Sequence, residues 1–180
     1  SDALATLETL YEATHPGIDV QVTSAGSQVL ALQIEQGAQA HVFASADLEH
    51  FDRLKAEQLV GEPTHFVSNE LVLVVSPEDS RIRSFADLRH AQRIVLGTAE
   101  VPVGAYAREV LERAAGEYGR EFDDAVRNHI VSEEVNARLV RAKVELGEAD
   151  AALVYRSDTK GNERVVAIEI PPELNVRARY

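Results

Sequence analysis

Apolar side chains at Leu4, Leu7, Leu10 and Tyr11 recur three and four residues apart, which predicts an amphipathic helix that His15-Pro16-Gly17 brings to an end. The pattern then changes to alternation at Ile18, Val20 and Val22, so a strand over 18–22 is expected next. Ser24-Ala25-Gly26-Ser27 opens a second helix through Val29, Leu30, Leu32 and Ile34, closed at Gly37. Residues 41–45 read as a short strand and 46–58 as a third helix. The run ELVLVVS at 70–76 is continuous and rich in valine, as expected of a strand buried on both faces.

A second cycle follows. Residues 85–88 read as a short helix, 93–97 as a strand, and VPVGAYAREVLERAAG at 101–116 as a strongly amphipathic helix. Helices are expected at 121–128 and 136–146, with Ile130-Val131 a short strand between them. Residues 147–150 lead into a buried strand at 151–155, and 165–170 and 176–180 are further strands. Alternating helices and strands argue for an α/β fold with open sheets and crossover connections. The turn at 77–80 parts the two cycles, which suggests two lobes. There is no internal repeat.

The chain has 180 residues, 45% of them hydrophobic, enough for one domain or two small lobes with a real core. A formal net charge of -12 leaves no basic stripe, which disfavours nucleic acid as a partner. The absence of cysteine removes disulfides, thiolate metal sites and thiol nucleophiles. No apolar run approaches the roughly 20 residues of a membrane-spanning helix. The six histidines show no metal-binding spacing, the acidic runs Glu133-Glu134 and Glu148-Ala149-Asp150 lack that of a calcium loop and read as solvated faces, and no nucleotide or hydrolase motif occurs.

In open α/β sheets, ligands gather where strands end and helices begin. Three such junctions carry small or neutral polar residues. Ser27 could donate its hydroxyl to an anion or simply cap its helix. At Pro102-Val103-Gly104 a preset φ and a missing Cβ allow close approach to backbone N–H groups, in a site or in a plain helix start. Asn136-Ala137 opens another helix in the same two ways. Tyr155 ends the strand AALVY, where its hydroxyl either edges a cleft or is the wet tip of a packed ring.

Taken in order, GSQVLALQIEQGAQAHVFASAD (26–47), NELVLVVSP (69–77), VPVGAYAREVLE (101–112) and KVELGEADAALVYRSD (143–158) resemble the molybdate-binding proteins of bacterial ABC importers. The likeness covers nearly the whole chain. It implies a two-lobed periplasmic-binding-protein-like (type II) fold, truncated at both ends: lobe one is 1–78 plus 176–180, without the family's first strand and C-terminal helix, and lobe two is 79–175. It implies molybdate or tungstate held between the lobes through its oxygens, with no cofactor and no protein side chain as a direct metal ligand. Ser27, Val103, Ala137 and Tyr155 match the family's oxyanion donors, two by hydroxyl and two by backbone amide. Ser1 aligns two positions after a further family serine and takes no role, and His41 stands where the family usually carries aspartate.

The implied protein is not an enzyme. It is a periplasmic or extracytoplasmic carrier, free or lipid-anchored as a precursor, a monomer unless truncation drives oligomerisation, with a membrane permease as partner. An oxyanion-sensing domain of a regulator is the alternative. A hydrolase using Ser27 is a poorer fit, because His41 is the only histidine in the matched blocks. A lining that only donates suits a fully deprotonated anion, so phosphate is expected to bind poorly.

Overall fold

The computed structural model describes residues 2–78 and 81–180. Within it, β1 (Ser68–Val75) is the spine of a mixed six-stranded sheet. Its apolar run pairs antiparallel with β4 (Ala151–Tyr155) on one side, from Leu71 opposite Tyr155 to Val75 opposite Ala151. On the other side it pairs with β5 (Val166–Glu169) and, through Ser68 to Glu70, with β6 (Arg177–Arg179). Beyond β4 lie β2 (Ile94–Gly97) and then β3 (Ile130–Glu134), both parallel to it.

The strand period of two sorts β1 between two cores. Leu71, Leu73 and Val75 face α4 (Pro102–Tyr118) and α5 (Arg120–Asn128), whose Val110, Leu111, Phe122 and Val126 are buried in the same cluster. Val72 and Val74 face α6 (Ala137–Glu145) through Val140 and Val144. A chain buried on both faces has little room for polar side chains, which is why residues 71–75 are uninterrupted leucine and valine. At Gly119 (φ 84°) α4 gives way to α5 through a left-handed conformation suited to glycine. Tyr118, Phe122 and Phe85 then meet as a cluster of mutually tilted rings, with centroids 5.0–6.4 Å apart.

Before β1 the chain is helical or irregular. Helices α1 (Asp2–Thr14), α2 (Ser27–Glu35) and α3 (Glu49–Ala56) form in the predicted order, α3 starting three residues late and ending two early. An ion pair of 2.6 Å between Arg53 and Glu35 ties α3 to α2. The strands expected at 18–22 and 41–45 are not formed. Alternation marks a strand only when a neighbour supplies hydrogen bonds and apolar cover. Among the described residues neither segment has such a neighbour, and Val42 is 85% exposed.

Three smaller expectations change. β3 continues to Glu134, so Glu133 and Glu134 belong to the sheet edge. The short helix at 85–88 is a 3-10 turn reaching His90. Asp150 is buried rather than solvated: its carboxylate accepts the N–H groups of Gln92 and Arg93 at 2.9 and 3.0 Å and the Arg93 guanidinium at 2.8 Å. The expected boundary between the two cycles falls partly on Asp79 and Ser80, which lie outside the described residues.

Candidate functional site

Because β2, β3 and β4 run parallel, their carboxyl ends share one edge of the sheet. The turn into α4 leaves β2 there, α6 begins just past β3, and Tyr155 terminates β4. This is the position where α/β sheets collect ligands.

At the start of α4, Pro102 has no N–H, while Gly104 and Ala105 both donate to the carbonyl of Val101 at 2.9 and 3.0 Å. The first turn therefore leaves one amide unclaimed by the described residues, that of Val103. Gly104 sits so close to β2 that a Cβ there would fall 2.0 Å from the Thr98 carbonyl oxygen and 2.4 Å from that of Gly97. Arg108 locks the same turn from below, donating to Gly97 and Gly104 carbonyls at 2.8 and 2.9 Å and pairing with Glu133.

Asn136 caps α6 by accepting the Leu139 N–H at 3.0 Å, and its carbonyl accepts that of Val140 at 3.2 Å. The Ala137 amide, ahead of both, has no acceptor among the described residues. Ser27 is not the cap of α2. Gly26 holds that position, and Ser27, buried as the first helical residue, accepts the Ala46 N–H at 3.0 Å, which leaves its own O–H to donate.

Tyr155 is 7% exposed, and its hydroxyl makes no hydrogen bond with the described residues. Burial, reinforced by Tyr180, Tyr106 and Asp47 nearby, pushes the phenol well above its ordinary pKa, so it stays a donor. The Tyr180 ring meets it edge-on with centroids 6.2 Å apart; that hydroxyl influences Tyr155 without reaching hydrogen-bond geometry.

These positions adjoin one large core. Val103 and Tyr155 are buried in one cluster against which Ala46, Tyr106, Ala137 and Tyr180 pack, and Ser27 joins it through its bond to Ala46. Tyr106 completes the tie: from α4 its hydroxyl donates to the Ala46 carbonyl at 3.2 Å. Tyr106 was legible as the residue one turn beyond Val103 on the same helix face. Gln28 and Tyr180 also meet this region, and nothing in the local pattern distinguishes them.

The candidate positions offer two hydroxyls and two amides, all hydrogen-bond donors. His50, buried beside them, is held by Asp47 at 2.9 Å. Among the described residues no group of His, Asp and Glu could hold a metal ion, and no helix is long and apolar enough to cross a membrane. Two broad surface depressions, one beside Arg141 and Lys160 and one beside Arg81 and Asp150, lie outside this cluster.

The chain is 41% identical over 172 residues to the molybdate-binding protein ModA of Mycobacterium tuberculosis (strain H37Rv), a match covering 92% of this chain and 61% of that protein. With ModA of Escherichia coli (strain K12) it shares 32% over 168 residues, covering 87% of the chain and 62% of the relative. The chain thus spans about three fifths of the length of these curated relatives. In fold it is similar to the periplasmic molybdate-binding protein of Azotobacter vinelandii, with TM-score 0.75 at 17% identity over 98% of this chain and 79% of that one. The family model of bacterial extracellular solute-binding proteins matches residues 1–180, and the chain belongs to that family.

Proposed function

We propose that this protein captures molybdate or tungstate outside the cytoplasm, free or lipid-anchored in the periplasmic or extracytoplasmic space, and delivers it to the permease of an ABC importer. The observation that carries this reading is the Tyr155 hydroxyl, buried and unpartnered in the cluster that holds the unclaimed Val103 and Ala137 amides. A buried hydroxyl without a partner costs about 1 to 3 kcal/mol, which a bound oxyanion would recover. Ser27 supplies the donor from α2. The relatives named above, both molybdate-binding proteins, support the choice of anion.

The proposed donors divide between the segment before β1, which carries Ser27, and the part of the chain after it, which carries the other three. A bound anion would add converging hydrogen bonds to the contacts that already join the two sets, Tyr106 to Ala46 and Gln28 to Val135. A dianion needs no counter-charge here, since helix N-termini and converging hydrogen bonds stabilise it.

Isothermal titration with sodium molybdate and sodium tungstate tests the reading. Saturable heat with one or both is expected, and its absence with both overturns the proposal. In the same assay Tyr155→Phe weakens binding by roughly 2 kcal/mol, about thirtyfold. An unchanged affinity would remove Tyr155 from the site.

A further inference from the structure

Ala46 lies in the irregular stretch between α2 and α3, where no strand ladder fixes the main chain. Among the described residues, both of its main-chain groups are held by side chains alone. Its N–H donates to Ser27 Oγ at 3.0 Å, and its carbonyl accepts the Tyr106 hydroxyl at 3.2 Å. The two bonds sit on either side of one Cα, so Tyr106 and Ser27 are joined through a single residue. Tyr106 stands on α4 one turn past Val103, half-buried against the core that contains Val103 and Tyr155. Burial, with Asp47 and Glu109 nearby, raises its pKa, so it stays a donor throughout the neutral range.

A serine hydroxyl has one proton and two lone pairs, and it turns freely until a neighbour claims one of them. The Ala46 N–H claims a lone pair of Ser27, which narrows the directions left to the proton. That constraint is only as firm as Ala46 itself, whose carbonyl side Tyr106 anchors. We propose that Tyr106 is a positioning residue for anion capture: by tying the Ala46 carbonyl to α4 it holds the Ala46 N–H on Ser27 and keeps the Ser27 hydroxyl aimed at the ligand. This rests on the oxyanion reading of the site. Tyr106 gives its own proton to Ala46 and needs no contact with the anion. Its effect passes through Ser27, and it sets that first-half hydroxyl relative to the helix that presents the Val103 amide.

Calorimetric titration with sodium molybdate is the test, on the wild type and on Tyr106→Phe placed alone, with Ser27→Ala and with Tyr155→Phe. Tyr106→Phe keeps the packed ring and removes one oxygen, and it is expected to weaken binding about fivefold. In the Ser27→Ala background the same change is expected to weaken binding no more than about twofold, because the hydroxyl it positions is gone. In the Tyr155→Phe background it keeps its full effect. A merely structural loosening of α4 would weaken binding equally in all three backgrounds, and equal losses overturn the proposal, as does an unchanged affinity in Tyr106→Phe alone. If Tyr106→Phe does not fold, or Ser27→Ala binds too weakly to titrate, hydrogen exchange of the Ala46 amide in the wild type decides. A slowing of about tenfold or more on saturation with molybdate is expected, and an unchanged rate overturns the proposal. A wild type that binds neither molybdate nor tungstate would instead defeat the oxyanion reading, and this inference with it.

Discussion

Replacing Gly104 by alanine is expected to destabilise the protein by about 3 kcal/mol or more, lowering the melting temperature by about 6 to 12 °C. The new methyl would lie 2.0 Å from the Thr98 carbonyl oxygen and 2.4 Å from that of Gly97, both main-chain atoms at the end of β2. A flexible side chain could swing aside from such a contact; these carbonyls are held, Gly97 by the Arg108 guanidinium and Thr98 by the Val101 N–H at 3.2 Å. Relief requires lifting the first turn of α4 off the sheet, which also moves the Val103 amide. Calorimetric melting and anion titration should therefore fall together. A melting temperature within a degree of wild type would show that the turn yields without cost.

The second large effect belongs to Asp150. Its removal in Asp150→Ala strands the Gln92 and Arg93 N–H groups and takes one of two partners from the Arg93 guanidinium, which keeps the Gly147 carbonyl, a loss of about 2 to 3 kcal/mol measurable by urea unfolding. The same group predicts a pH dependence. Burial alone would raise its pKa, but the hydrogen bonds from Arg93 and Gln92 and the charges of Arg93 and Arg81 outweigh it and hold the carboxyl below the ordinary aspartate value. A carboxyl depressed in the folded state contributes stability above its unfolded pKa of about 4, and that contribution disappears as the pH falls through the folded value. Wild-type stability should thus decline more steeply than that of Asp150→Ala on acidification below about pH 4. Parallel profiles would show that the ionised carboxylate contributes nothing.

Much of the second half of the chain was legible because its patterns are closed locally. The run 71–75 is buried on both faces as its composition demands, and the helix expected at 101–116 forms as α4 over Pro102–Tyr118. The first half was harder for a physical reason. Ile18, Val20 and Val22 alternate as a strand should, yet alternation records only which face a side chain takes, and a ladder needs a second chain of N–H and C=O groups. The four candidate donors could be named from junctions and from resemblance; Ser27 does lie at a helix start, but Gly26 takes the cap position and Ser27 accepts the Ala46 N–H instead. Asp150 misled because an acidic triplet looks solvated, and its partners lie 57 and 58 residues away. Gln28 escaped notice for the same reason, its carbonyl partner being 107 residues downstream.

The single unclaimed amide at the head of α4 belongs to the main chain, and this decides where the site can be damaged. Trimming Val103 or Ala137 to a smaller side chain deletes no donor, so an alanine scan would pass over half of the proposed ligand set. The vulnerable positions are the neighbours that dictate backbone shape: Pro102, which removes one competing N–H, Gly104, which permits the close approach, and Asn136, which fixes the opening of α6. Drift at 103 and 137 would therefore reveal little about the ligand, whereas a change at 102, 104 or 136 would alter the anion's reception without touching a single contacting side chain.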